Sequence, residues 1–172
     1  MAQATATTQR TTSRAGKYLT FSLANQEYGV EILKVREIIG MVPITTVPRT
    51  PEFVKGVINL RGKVIPVVDL RLKFGMESIE QTDETCIIVV DVLGIEMGVI
   101  VDRVSEVLNI AEENIEDTPS FGTNVNTDFI LGMGKKDSQV AILLDISAVL
   151  SNDGQVDELA QVAETAKNTQ KA

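Results

Sequence analysis

Residues 51–74, PEFVKGVINLRGKVIPVVDLRLKF, decide the reading of the chain. Val57, Ile58 and Leu60 precede a polar turn, and Val64, Ile65, Val67 and Val68 follow it. Branched and aliphatic side chains at that density favour a pleated, buried surface. Between the two runs, Gly62 can take the positive φ of a short hairpin, so the chain reverses there and leaves Arg61 near the tip of a stiff apolar ribbon. Pro66 lacks an N–H, which assigns its strand to an edge or a bulge. Asp69 to Gly75 follows as a short helix, capped by Asp69 and closed by Gly75.

Working outward towards the N-terminus, Pro48 and Pro51 bracket a stiff connection. Ile32, Val35, Ile38 and Ile39 stand at helix-like spacing, although an irregular strand–helix passage fits such β-branched residues equally. Gly40 and Pro43 end that passage. Tyr18–Leu23 alternates as a strand and turns at Asn25-Gln26. Residues 1–16 are Thr- and Ala-rich, lack the apolar core of a signal peptide and are expected to be disordered. Towards the C-terminus, the polar residues 76–84 suggest a boundary. Thr85–Val92 is a continuous apolar run, expected to be a strand buried on both faces. Leu93-Gly94 turns it into Ile95–Val101, and Val104, Val107, Leu108 and Ile110 extend the pattern. Residues 111–127 read as a long loop with one helical turn at 112–115. Phe129–Met133 and Val140–Leu144 form a further strand pair joined by residues 134–138, with Lys135 and Lys136 as a solvated tip. Ile146–Leu150 is a closing helix, and residues 151–172 form a weak helix (Val156, Leu159, Ala163) or a flexible tail.

The chain repeats itself. Residues 29–39 (GVEILKVREII) align without a gap on 98–108 (GVIVDRVSEVL). Residues 53–56 (FVKG) align on 129–132 (FILG), and 67–70 (VVDL) on 143–146 (LLDI), at an offset seven residues longer. The extra residues belong to the 111–127 loop, where length is easily absorbed. Short strands, glycine turns and a duplication indicate a mainly β fold: two tandem five-stranded barrels packed together, with short helices. They are assigned to residues 17–75 and 76–150. Either barrel alone would be marginal, so a shared apolar interface is expected.

Composition narrows the function. There is no histidine and no tryptophan, and Cys86 is the single cysteine. The commonest general base, the commonest metal ligand and every histidine-dependent nucleophile are therefore missing. A lone cysteine fits a reducing cytoplasm. No apolar run approaches the ~20 residues of a membrane span. From Lys17 to Lys73 nine basic residues oppose five acidic ones, whereas Glu77 to Asp117 holds twelve acidic residues and only Arg103. That asymmetry describes two solvated faces or a bipolar surface that orients partners. No basic stripe interleaves with aromatics, so nucleic acid is not an expected partner. Gly132-Met133-Gly134-Lys135 fails the spacing of a phosphate loop. Asp69 and Asp145 read as helix caps, and Cys86 as a packing residue at a strand start. No enzyme, cofactor or metal site is indicated. Glu37 and Arg61 are either solvated charges or a partner-orienting pair beside an exposed groove.

The strings YLTFSL, EYGVEILKVREIIG, PEFVKGVINLRGKVIPVVDLRLKFG and GVIVDRVSEVL resemble the CheW family of bacterial chemotaxis coupling proteins over Lys17–Leu150. The resemblance implies SH3-like barrels in a cytoplasmic scaffold at membrane-associated receptor arrays, linking chemoreceptors to the histidine kinase CheA without inserting into the membrane. It implies a receptor groove lined or supported by Val35, Glu37, Arg61, Cys86, Gly98, Val104 and Val107, suited to an amphipathic helix. It implies kinase contacts on barrel edges, through Met41, Ile44, Lys55, Gly56 and Gly62 on one surface and Phe121 on another. An adaptor of a related pathway that does not control motility, or a CheV-type fragment, are the alternatives.

Overall fold

The apolar runs form eleven strands among the residues described by the structure, a computed structural model covering 14–118 and 129–151. β1 (Gly16–Leu23) and β2 (Gln26–Glu31) meet at Ala24 and Asn25, both at positive φ. A 3-10 turn at Ile32–Lys34 then delivers the chain into β3 (Val35–Gly40). The helix-like spacing there therefore resolves as turn and strand, as suits its branched residues. β4 (Val54–Leu60) and β5 (Lys63–Asp69) are the hairpin of the opening quotation. Arg61 (φ 52°) and Gly62 (φ 84°) form its two-residue loop, and Asn59 Oδ1 accepts the Gly62 N–H at 2.9 Å. α1 (Leu70–Lys73) is capped by Asp69, which accepts the Arg71 N–H at 2.9 Å. β6 (Cys86–Val92), β7 (Ile95–Val101) and β8 (Arg103–Ile110) follow, then a 3-10 turn at Glu112–Asn114 and β9 (Ile115–Glu116). β10 (Ile130–Lys136), β11 (Gln139–Leu144) and α2 (Ile146–Ser151) complete the order, with Asp145 accepting the Ala148 N–H at 3.2 Å.

The two sheets run β3-β6-β7-β5-β4 and β8-β1-β2-β11-β10-β9. These are the two packed SH3-like barrels with short helices, but they are not divided at residues 75 and 76. β3–β7, within residues 35–101, make one barrel; β1, β2 and β8–β11 make the other. The first is thus inserted in the second. The turn at Ile32–Lys34 carries β3 away from its hairpin neighbours to pair with β6, and β8 returns to pair with β1.

The duplication is visible in the register. Gly98 lies opposite Val67 in the parallel pair β5·β7, and Gly29 opposite Leu143 in the parallel pair β2·β11. The Asp69 N–H donates to Phe53 C=O at 2.8 Å, and Asp145 N–H to Phe129 C=O at 2.8 Å. The irregularity at Val54/Gly56 recurs at Ile130/Gly132. Thr45 bridges Val57 as Glu116 bridges Met133.

β6 shows how one strand serves two cores. Ile87 and Val89 point into the inserted barrel with Ile58, Ile65 and Val67, while Ile88, Val90 and Val92 join Phe21, Leu23, Met97 and Leu144 in a core shared by both barrels. These five β6 side chains are fully buried. The enclosing barrel has its own smaller cluster around Tyr18, Ile110 and Leu143. A stack of rings, Phe21–Tyr28–Phe74–Phe129 with centroids 5.9, 5.8 and 5.6 Å apart, ties α1 to both repeats.

Three local expectations change. β5 lies between β7 and β4, so Pro66 is not on an edge. Val57 exchanges both backbone bonds with Thr45 (2.8 and 2.9 Å) and faces Pro66 without a ladder bond, while β7 pairs only from Val67 onward. The missing N–H therefore vacates no ladder position. Lys135 and Lys136 are strand residues rather than a loop tip; the turn is Asp137 and Ser138, with Asp137 at φ 55°. Residues 14–16, expected in a disordered tail, are held. Gly16 pairs with Ile110, and the Arg14 guanidinium donates to Glu112 (3.0 Å), Asp117 (2.9 Å) and Leu131 C=O (3.1 Å). Residues 1–13 and 152–172, expected to form the two tails, lie outside the described residues.

Candidate functional site: the seam and junction of the barrels

A sheet curled into a barrel brings its outer strands together, and charged residues at that seam can close it. β3 is one outer strand of the inserted barrel, and the β4–β5 hairpin forms the other side. There Glu37 of β3 meets Arg61 of the hairpin tip. Arg61 Nη1 donates to Glu37 Oε2 at 3.1 Å and Nη2 donates to Oε1, a bidentate pair. The guanidinium holds the Glu37 carboxyl below the usual carboxylate range, and the carboxylate raises Arg61 in turn. Arg61 remains 69 % exposed and Glu37 27 %, so the pair is formed yet open to a partner. Ile38, beside Glu37, is exposed as well.

The other residues anticipated for the same surface fall into three places. Val35, Cys86 and Val104 are half-buried against the shared core, which puts them at the junction between barrels. The Val104 N–H donates to the Cys86 sulfur; burial nonetheless pushes the thiol up, away from a reactive thiolate. Val107 stands exposed on β8. Gly98 is buried inside the inserted barrel, where a Cβ would lie 2.8 Å from an Ile87 methyl. It supports the strands and offers no surface of its own.

Met41, Ile44 and Lys55 are brought together around a small cavity of about 90 Å³ that Asp69, Arg71 and Ile79 also line. Gly56 is buried below them at φ 140°, and a Cβ there would sit 2.0 Å from the Thr45 carbonyl oxygen. Its task is to let the 44–45 segment cross β4. Gly62 lies six residues along the hairpin, roughly 20 Å away by strand rise, beside Arg61 and apart from this group. Phe121 lies outside the described residues.

Sequence reading overlooked the counterpart of the seam. Shifting Glu37 by the first repeat offset gives Glu106 on β8, and shifting the end of β4 by the second gives Lys136. These two meet at 3.8 Å across the enclosing barrel, a looser closure of the same kind. The repeat contained that signal. Also unforeseen is Arg71–Asp102, bidentate at 2.8 and 2.7 Å, with Asp102 accepting the Ala24 N–H at 2.9 Å. It ties α1 of the inserted barrel to the β1–β2 turn of the enclosing one.

The fold and its open seam define a protein that works by docking: two barrels, several edges, a half-buried apolar junction between them and a charge pair at the seam of one. A family model described as "CheW-like domain" matches residues 17–154. The chain is 39 % identical to the chemotaxis protein CheW of Klebsiella aerogenes over 88 % of this chain and 89 % of that protein. It is 36 % identical to CheW of Bacillus subtilis over 80 % of this chain and 88 % of that protein. Helicobacter pylori CheV3 is more distant, at 26 % identity over 84 % of this chain and 46 % of that protein. The crystal structure of the scaffolding protein TtCheW from Thermoanaerobacter tengcongensis superposes with a TM-score of 0.74 at 41 % identity, covering 81 % of this chain and 95 % of that one. The chain belongs to the CheW-like family. Its role is that of a coupling adaptor in chemotaxis signal transduction, and the CheV-type alternative is not favoured.

Proposed function

We propose that this protein is a non-enzymatic scaffold that couples chemoreceptor cytoplasmic tips to the regulatory domain of the histidine kinase CheA, in the cytoplasm at membrane-associated arrays. The observation that carries the proposal is the Glu37–Arg61 pair, bidentate but open, at the seam of the inserted barrel. An amphipathic receptor helix suits such a surface: its apolar stripe covers Val35, Cys86, Val104 and Val107, and its polar edge meets the charge pair. The kinase takes the barrel edges instead, one of them around Met41, Ile44 and Lys55. A histidine-free chain offers no general base of the usual kind, and among the described residues no group of three metal-ligating side chains converges. Among them, too, no helix is long and apolar enough to cross a membrane.

The test is a pull-down from a bacterial lysate with wild type and Arg61→Glu, probed for CheA and chemoreceptors. Wild type should capture both and the variant should keep the kinase alone. Failure of the wild type to capture either defeats the coupling assignment, and hydrolysis of ATP by the purified protein defeats the non-enzymatic one.

A further inference from the structure

Residues 112–117 read EENIED, one apolar side chain among four carboxylates. The counterpart in the inserted barrel, residues 41–46 (MVPITT), has no carboxylate, and its Met41 and Ile44 pack against the cluster of Ile58 and Ile65. Both segments cover the outermost long strand of their sheet, Glu116 bridging Met133 as Thr45 bridges Val57. β9 ends the six-stranded sheet, and only its two residues, Ile115 and Glu116, pair with β10. So short a strand among like charges is weakly held, apart from Ile115 buried beside Tyr18 and Leu143. Arg14 offsets that repulsion. Its Nη2 donates to Glu112 Oε2 at 3.0 Å and its Nη1 to Asp117 Oδ1 at 2.9 Å, so one side chain grips the chain on both sides of β9. Nη1 also donates to Leu131 C=O on β10 at 3.1 Å, an approach that Gly132 permits, since a Cβ there would lie 3.0 Å from Nη1. The Arg14 N–H donates to Glu112 Oε1 at 2.8 Å, and its C=O accepts the Tyr18 hydroxyl at 2.5 Å, which fixes the residue to β1.

We propose that Arg14 is an ionic latch and β9 a detachable edge strand. With the latch closed, β9 covers β10. With it open, Met133 and Gly134 lose their partner strand and β10 presents a bare edge, which is a template for a strand of another chain. Arg14 is 22 % exposed but its partners Glu112 and Asp117 are 50 % and 92 % exposed, so solvent ions reach both pairs. Charge-assisted bonds are individually strong, and pairs open to solvent weaken as salt rises. Attachment of β9 therefore responds to ionic strength, whereas the apolar packing of residues 41–46 in the inserted barrel gives that segment no such response. Lys135 is the other cation on this edge, and it pairs with Glu116. It holds a single carboxylate, within β9 itself, and does not replace the grip of Arg14 on both flanks.

Amide hydrogen exchange on the full chain, at low and at high sodium chloride, tests the latch with Arg14→Ala and Arg14→Met. In wild type, the amides shared by Ile115–Glu116 and Met133–Gly134 should exchange faster as salt rises. At low salt both variants should exchange there roughly tenfold faster than wild type, the loss expected of bonds to charged partners. They should also have lost most of the salt response, keeping only what Lys135–Glu116 contributes. The amides of β6 should be unchanged throughout. Arg14→Met keeps the length and the apolar stem without the charge, so wild-type protection in that variant would assign Arg14 to packing and overturn the proposal. It is overturned equally by protection at β9 and β10 that ignores both substitution and salt. Acceleration of the β6 amides to the same degree would report loss of global stability in place of a local opening, and would overturn it as well.

Discussion

The inserted and enclosing barrels share a register and differ in how tightly that register is filled. In the inserted barrel, a Cβ on Gly56 would lie 2.0 Å from a backbone oxygen, whereas its counterpart Gly132 would meet an Ile115 methyl at 2.8 Å and the Glu116 carbonyl at 2.9 Å. The inserted seam is closed by a bidentate Arg61–Glu37 pair, the enclosing one by Lys136–Glu106 at 3.8 Å. The return crossing between barrels, from β7 to β8, is sealed by Asp102 and Arg71; the outward crossing, from β2 to β3, carries the exposed Leu33. The backbone plan was kept in both copies while seams and crossings diverged.

The largest effect that would break this contrast is at Gly56. Gly56→Val adds a steric collision with backbone to an unfavourable φ, at a cost of about 4 kcal/mol or more, enough to prevent folding of a marginal domain. Gly132→Ala should cost about 2 kcal/mol, because its Cβ would press on the Ile115 methyl and the Glu116 carbonyl at 2.8 and 2.9 Å rather than collide with a backbone oxygen at 2.0 Å. Urea melts of equal midpoint for the two would remove the asymmetry. Next come the register partners Gly98 and Gly29. A Cβ on Gly98 meets stiff, β-branched Ile87 at 2.8 Å, and one on Gly29 meets the end of Leu143 at 2.9 Å. Leucine can rotate aside, so Gly98→Ala should destabilise by about 2 kcal/mol and Gly29→Ala by about 1 kcal/mol. The reverse order in melting temperature would contradict the packing argument.

A smaller effect separates the crossings by pH. The Arg71 guanidinium holds the Asp102 carboxyl below its usual range. A carboxylate depressed in the folded state stabilises the fold above its unfolded pKa of about 3.9, and that contribution is lost as pH falls through the folded value. Asp102→Asn should therefore lower the melting temperature at pH 7, and its deficit from wild type should shrink below about pH 4. A deficit independent of pH would assign the role of Asp102 to its shape alone. The smallest effect on stability belongs to Arg61→Glu. The pair is solvent-exposed, so circular dichroism and the melting temperature should match wild type even though receptor capture is lost. Unfolding of that variant would make the seam structural.

The strands, both helix caps and the duplication were legible because each is written locally, in period-two patterns, in Asp before an apolar turn and in two fixed offsets. The exchange of partners between copies was not. β3 carries the same pattern whether it pairs with β2 or with β6, and only the three-residue turn at Ile32–Lys34 decides. Glycine misled at the last hairpin. Gly134 suggested a turn, but a Cβ there would press on Ile110 and Leu143 at 3.0 and 3.3 Å, so it is a strand residue that lets the core close. Glu37 and Arg61 were legible as a pair of charges on stiff mounts; that they close a barrel depended on curvature, which no local pattern records. Their duplicate, Glu106 and Lys136, was within reach of the offsets.

Nesting one barrel inside the other also sets the order in which the molecule can be completed during synthesis. β3–β7 are contiguous, so the inserted barrel has all of its strands once residue 101 has left the ribosome. β1 and β2 are made first and must wait for β8, β10 and β11. Until then Tyr18 lacks Ile110, Ile115 and Leu143, which cover it, and the earliest hairpin is the last to be fully paired. Such delayed, long-range pairing slows folding and exposes apolar strands to aggregation. A nascent chain stalled with residue 101 just outside the ribosome should thus present the complete strand set of one barrel and one adhesive hairpin.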